Sequence, residues 1–319
     1  LENLKMQRIK GSVFLFCAFT LAGTSVISAK FVSGRLGVFT IAAASLLFAI
    51  LCLLPLCANI LIKTIRLMEK REWLMLFLQA LFGIFLFRMF LLQGLLRTSA
   101  GEAGILTGAT PAVTALLAMV ILKEPASVKS LAGILSTVGG ILLIQGALSP
   151  GNEFLPENFW GNMLVLCAAG SESLFNMFSR MNYLKAASRQ KEPFNPVVQT
   201  MLVSGIALLL CIIPALFEQP VSSLMALGIK EWLSLIWYGV FVTALAFIFW
   251  YAGIKRRSVY AAAAFSGMMP FTSLFLSVMV LGEQAGWWQW SGGALIILGM
   301  FLIGKREACN ALLQKPETV

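Results

Sequence analysis

One stretch of this chain occurs twice, and the duplication limits the possible folds more than any other feature. Advancing the numbering by 159 (Glu231 minus Glu72) lays Glu72-Trp73-Leu74 on Glu231-Trp232-Leu233, and the register holds without a gap from Glu72 to Ile144. Gly94 then meets Gly253, Arg97 meets Arg256, Ser99 meets Ser258, and Gly108-x-x-Pro111 meets Gly267-x-x-Pro270. Leu122-x-Glu124 falls on Leu281-x-Glu283, Gly133 on Gly292 and Gly140 on Gly299. Hydrophobic composition alone does not reproduce glycines and prolines at fixed spacing, so the chain is an internal duplication.

The solvent of the duplicated unit follows from composition. With 59% hydrophobic and 12% charged residues, the chain has too little polarity to cover a soluble surface and belongs in a lipid bilayer. Apolar segments of membrane length fall at about 11–31, 36–60, 72–95, 100–122 and 127–146, and again at 159–181, 196–217, 231–254, 260–281 and 285–303. Each is long enough as a helix to cross ~30 Å of hydrocarbon. The first is too long for the apolar core of a signal peptide and reads as a helix. The expected fold is an all-α integral membrane protein of ten transmembrane helices.

Its domains are a first repeat at 1–147, an external linker at 148–158 carrying Pro150, Gly151 and Pro156, a second repeat at 159–304 and a cytoplasmic tail at 305–319. The duplication extends to the earlier helices, with Pro55 meeting Pro214. A separate offset of 150 lays Gly11 on Gly161, Cys17 on Cys167 and Lys30 on Arg180. Five helices per half is an odd number, so the second half enters from the opposite side. This predicts a 5+5 inverted-topology repeat, an arrangement by which secondary transporters place a site near the midplane.

Charge sets the expected orientation. The net charge of +10 resides at the ends of apolar segments and not on one polar face, which favours membrane orientation over nucleic-acid binding. With a cytoplasmic amino terminus, 19 of the 24 Lys and Arg fall inside: Lys5, Arg8, Lys10, Lys63, Arg66, Lys70, Arg71, Lys123, Lys129, Arg180, Lys185, Arg189, Lys191, Lys255, Arg256, Arg257, Lys305, Arg306 and Lys315. Both termini are therefore expected in the cytoplasm, with the plasma or inner membrane as the location.

Several chemistries are excluded. The sequence contains no His and no Asp, which removes His-based zinc sites, Ser-His-Asp triads and Asp-ligated magnesium. The six Cys stand mostly in apolar runs without metal-ligand spacing and read as small buried hydrophobes. No Gly-x-x-x-x-Gly-Lys-Ser/Thr loop is present, so no nucleotide, metal or other cofactor is expected. A membrane-embedded lipid enzyme would need a cluster of nucleophile, base or metal ligands that this composition does not offer.

The residues resemble those of the EamA family of the drug/metabolite transporter superfamily. The likeness rests on Ala103 to Pro111, Leu122-Lys123-Glu124 and Gly133 in the first half, and on Ala261 to Pro270, Leu281-Gly282-Glu283 and Gly292 in the second. It spans nearly the whole chain. The resemblance implies alternating access around a cavity between helices 1, 3, 4, 6, 8 and 9, with export of small metabolites such as amino acids or their derivatives; multidrug or organic-cation export is the alternative. Many family members carry an Arg in the inner half of helix 2 where this chain has Ser45, so that basic residue is not carried over.

The candidate site residues are polar groups inside spans. A charge at mid-membrane costs ~2.5 kcal/mol or more, so each needs a reason. Arg88 and Glu172 stand at mid-depth and Glu102 lies nearer one end, with Asn176 one turn beyond Glu172. Two readings follow: an Arg-Glu pair that ties helices together, or a polar site in which Arg88 takes a carboxylate and Glu172 an ammonium group or a coupling proton. Trp250 and Tyr251, with Phe175 and Phe178, supply an apolar wall. Pro111 and Pro270 interrupt helices 4 and 9 as hinges or static kinks. Lys30 and Arg180 serve as gate residues or interfacial anchors. Gly133, Gly140, Gly292 and Gly299 mark close helix packing, within one chain or between the copies of a homodimer. The expected partners are a small-molecule substrate and the lipid bilayer, without nucleic acid.

Overall fold

A computed structural model describes residues 2–121, 128–144, 156–188, 194–256, 265 and 268–313. The main helices are α1 (Glu2–Val32), α2 (Val38–Leu67), α3 (Lys70–Leu95), α4 in two pieces (Ala100–Thr107 and Thr110–Ile121) and α5 (Val128–Ile144). They continue as α6 (Pro156–Ser188), α7 (Pro196–Leu216), α8 (Ile229–Arg256), α9 (Met268–Leu281) and α10 (Trp287–Leu313), with a short helix at Pro220–Met225 between α7 and α8. Among the described residues no strand forms, and α1, α2, α3, α7 and α8 each contain a stretch long and apolar enough to cross a membrane.

The distribution of side chains is that of a protein dissolved in lipid. Leu51, Leu56, Leu209 and Ile213 are exposed, while Gln79, Arg88, Ser45, Ser204 and Thr243 are buried. Polar groups that water would solvate must here find protein partners, so they turn inward and the leucines turn out.

Helix packing is symmetric on exchange of the halves. Helix α1 packs on α8 as α6 packs on α3, and α1 on α9 as α6 on α4; α2–α7, α4–α9 and α5–α10 pack across the middle. The glycines of α5 and α10 form one of these contacts within the chain. A Cβ added at Gly140 would fall 2.6 Å from Gly292 O, and one at Gly299 would fall 2.6 Å from Gly133 O. Without hydrophobic driving force in lipid, such backbone approach supplies the van der Waals contact. Gly140 and Gly299 therefore serve the intrachain α5–α10 seam.

Two glutamates seal helix starts across the bundle. Glu218, just past α7, accepts from the backbone N–H of Phe39 at 3.2 Å and Thr40 at 2.7 Å at the start of α2. Glu283 accepts from Ala100 N–H at 2.9 Å and Gly101 N–H at 2.8 Å at the start of α4. A carboxylate on unsatisfied helix N–H groups is favourable both as a hydrogen bond and against the helix dipole. This explains the Leu281-Gly282-Glu283 turn. Gly282 at φ +67 takes the left-handed conformation that ends α9, and Glu283 is then aimed at α4.

One departure from regular winding is shared by the halves. Residues Leu81–Leu86 of α3 and Tyr238–Leu245 of α8 are π-helical, and the 159-residue register lays the first segment on the end of the second. Helix α4 breaks at Gly108–Ala109, so Pro111 falls in the first turn of the second piece rather than in mid-helix. There its missing N–H costs nothing, because the first turn has no intrahelical acceptor for it. Pro270 lies in α9, and the residues just before Met268 are outside the described ones.

Candidate functional site

A cavity lies between the halves at the level of the π segments. It is bounded by Ala18, Phe19, Ala22 and Ser25 of α1, Gly83, Ile84, Phe87 and Arg88 of α3, and Glu172, Phe175 and Asn176 of α6. Tyr238, Val242, Ala246, Phe247 and Trp250 of α8 and Met269 of α9 complete it. Its empty volume, counted out to its opening, is ≈ 740 Å³. Its mostly apolar lining with a few convergent polar groups is that of small-molecule sites.

Arg88 is 4% exposed, and its partners are all neutral. Nη1 donates to Ser45 Oγ at 2.7 Å and to Ala42 O at 3.4 Å, Nη2 donates to Thr243 Oγ1, and the guanidinium carbon lies 4.3 Å from the ring centre of Tyr238. Among the described residues no ion pair joins Arg88 to any carboxylate. A buried cation normally has a counter-charge, because desolvation without one is costly. The guanidinium is thus hydrogen-bonded and stacked while its charge remains uncompensated by a direct partner.

Glu172 borders the same cavity from α6. Its Oε2 accepts from Thr110 Oγ1 at 2.9 Å, at the restart of α4, and the neighbouring Ser173 Oγ lies 3.0 Å from Thr110 O. The structure therefore brings Arg88, Glu172, Asn176 and Trp250 to one cavity. It does not join Arg88 and Glu172 as an ion pair, since each is held by hydroxyls of a different helix.

The aromatic wall forms from Phe175, whose ring packs at a tilt against Trp250 at 5.4 Å and Phe247 at 5.8 Å between ring centres. Phe178 instead packs on Phe82. Tyr251 stands just behind the wall: its hydroxyl donates to Gln79 Oε1 at 3.2 Å, which also accepts from Gln199 Nε2 at 3.0 Å. It joins a buried polar cluster of α3, α7 and α8 rather than the lining.

Glu102 lies away from Arg88 in a network at one end of the bundle. Its Oε2 accepts from Thr98 Oγ1 at 3.0 Å and Asn162 Nδ2 at 3.4 Å, and its Oε1 accepts from Gln289 Nε2 at 3.3 Å. The backbone N–H of Glu102 in turn donates to Ser99 Oγ at 3.1 Å, the cap of α4. Lys30 stands beside the network. Its Nζ donates to Leu95 O at 2.8 Å, the last carbonyl of α3, and to Thr98 O at 3.0 Å in the turn to α4. Arg180 is within α6, but its side chain lies outside the described residues.

Sequence reasoning missed Ser25, Ser45, Tyr238 and Thr243. Small hydroxyls in an apolar run carry no signal alone. The one available clue was that Ser45 and Ser204 occupy duplicated positions.

Comparison with known proteins decides the family. The model of the EamA-like transporter family matches twice, at residues 9–146 and 159–305. The chain belongs to the EamA-like transporter family. It is 29% identical over 305 residues to the uncharacterized transporter YetK of Bacillus subtilis, covering 94% of this chain and 88% of that protein. It is 27% identical over 212 residues to a probable amino-acid metabolite efflux pump of Salmonella typhimurium, covering 64% of this chain and 67% of that one. A probable terminal-alkyne amino-acid exporter of Streptantibioticus cattleyicolor is 25% identical over 224 residues, covering 70% of each chain. A solved crystal structure superposes with a TM-score of 0.58 at 19% identity over 96% of this chain and 99% of that one, a likeness of fold. An EamA-like transporter is a multi-pass membrane protein that handles a small-molecule substrate, and family and relatives alike point to transport rather than catalysis.

Proposed function

We propose that this EamA-like protein is a secondary transporter that exports amino acids or their derivatives by alternating access. The observation that carries the reading is Arg88, a buried guanidinium with neutral partners on a cavity that also holds Glu172. A zwitterion supplies both missing charges: its carboxylate answers Arg88 and its ammonium answers Glu172. The names of two relatives, an amino-acid metabolite efflux pump and an amino-acid exporter, point the same way.

In this reading ten spanning helices form a 5+5 inverted repeat, with repeats at 1–147 and 159–304, a linker at 148–158 outside and both termini in the cytoplasm. The halves rock about the cavity. The Glu102 network, with Lys30 beside it, closes one mouth, while Pro111 and Pro270 serve α4 and α9 as hinges. The symmetric packing and the matched π segments support this scheme.

Export of organic cations is the second reading, favoured by Glu172 against the Phe175–Trp250 wall. Flux into liposomes containing the purified protein separates the two. Saturable uptake of labelled amino acids, accelerated by the same amino acid preloaded on the far side, is the expected result. Uptake of an organic cation alone would establish the second reading instead.

A further inference from the structure

The two hydroxyls that hold Arg88 have their hydrogens committed elsewhere. Ser45 Oγ donates within its own helix, to Ile41 O at 2.8 Å or Ala42 O at 3.0 Å, and Thr243 Oγ1 donates to Tyr238 O at 2.8 Å. A hydroxyl has one hydrogen and two lone pairs, so each turns a lone pair toward the guanidinium. The Thr243 bond depends on the π winding of α8. It reaches the carbonyl five residues back, where regular helical geometry offers those three or four back.

Counting donors then shows how many N–H groups of Arg88 remain. A guanidinium has five N–H groups. Nη1 donates to Ser45 and Ala42 O, and Nη2 gives one hydrogen to Thr243. The Nε–H and one Nη2–H have no acceptor among the described residues. Paired N–H groups along one edge match a carboxylate bidentately. The clamp adds no negative charge, and Tyr238 backs the guanidinium plane.

Resting on the amino-acid reading above, we propose that Ser45 and Thr243 are positioning residues that present the Nε–Nη2 edge of Arg88 to a substrate carboxylate. Carboxylate selectivity then depends on an α2 hydroxyl from the first half and an α8 hydroxyl from the second. Because the two come from different halves, the clamp also ties substrate recognition to the junction between them.

The test is counterflow in liposomes containing the full chain, using three acids and the amines left when their carboxylates are removed: phenylalanine and phenethylamine, leucine and isopentylamine, alanine and ethylamine. Thr243→Val and Ser45→Ala are each expected to lower the acid-to-amine rate ratio roughly tenfold, the scale of one hydrogen bond to a charged group. Thr243→Ser should keep the wild-type ratio. Amine flux serves as the folding control, and should one variant fail to fold, the other tests the clamp from the opposite half. A wild type that prefers none of the acids overturns the amino-acid reading and this inference with it. A selective wild type whose ratio survives both substitutions overturns the positioning role alone.

Discussion

Arg88 and Phe247 occupy the same place in the two halves, one duplication register apart, and both line the cavity. Glu172 and Ala22 are likewise mates in the register that joins α6 to α1, and both line it too. Each charge thus faces the cavity from one half, and its apolar mate faces it from the other. The supporting hydroxyls repeat the contrast. Ser45 Oγ binds Arg88, while its mate Ser204 is buried with its Oγ unpartnered. Packing features recur in both halves: glycine contacts, π segments and helix pairings. Packing is local and can be duplicated without cost, whereas a second buried guanidinium would add a second desolvation penalty. A zwitterion also needs unlike charges, so a polarised site can hold it in one orientation where a symmetric one could not.

Making the halves alike at this position should have the largest effect. Arg88→Phe is expected to lower carboxylate counterflow by about 100-fold or more, the scale of a lost bidentate charged pair. Restoring asymmetry from the other side sharpens the comparison. Adding Phe247→Arg and Ile84→Thr to Arg88→Phe places a guanidinium near Ser204 with a hydroxyl at the mate of Thr243, and roughly tenfold of the lost rate should return. No recovery would mean that the halves differ in more than their charges.

Glu172→Gln should follow, lowering flux about tenfold for substrates that carry an ammonium and little for their N-acetyl derivatives. Equal loss for both would reduce Glu172 to its tie with Thr110. The smallest effects test the common frame. Gly140→Val and Gly299→Val, each forcing a Cβ against a backbone carbonyl of the partner helix, should cost a similar ~1–3 kcal/mol in detergent-solubilised unfolding. Markedly unequal losses would break the claim that packing is shared while charge is not.

Much of the frame was legible because apolar length and repeated glycines are sequence properties. Helix existence follows the hydrophobic runs, although α2 continues past the apolar segment at 36–60 to Leu67 and carries Lys63 and Arg66 in its last turns. Long basic side chains at the membrane edge extend from a helix as readily as from a loop. The site was half legible. Arg88 and Glu172 announced themselves as charges in spans, but their separate hydroxyl partners did not. Helix rotation and the π windings decide which serine or threonine faces inward, and nothing in the composition of Leu81–Leu86 signals π geometry. Depth along a span does not distinguish a cavity face from the end network that Glu102 joins.

The most direct measurement is counterflow by wild type and Arg88→Ala side by side, with phenylalanine and phenethylamine as the matched pair. Expected is a wild type that exchanges the acid, and a variant that loses acid exchange while its amine flux persists. Equal acid exchange by both proteins would contradict the assignment of Arg88 as the carboxylate site and leave it a structural ion between α2, α3 and α8.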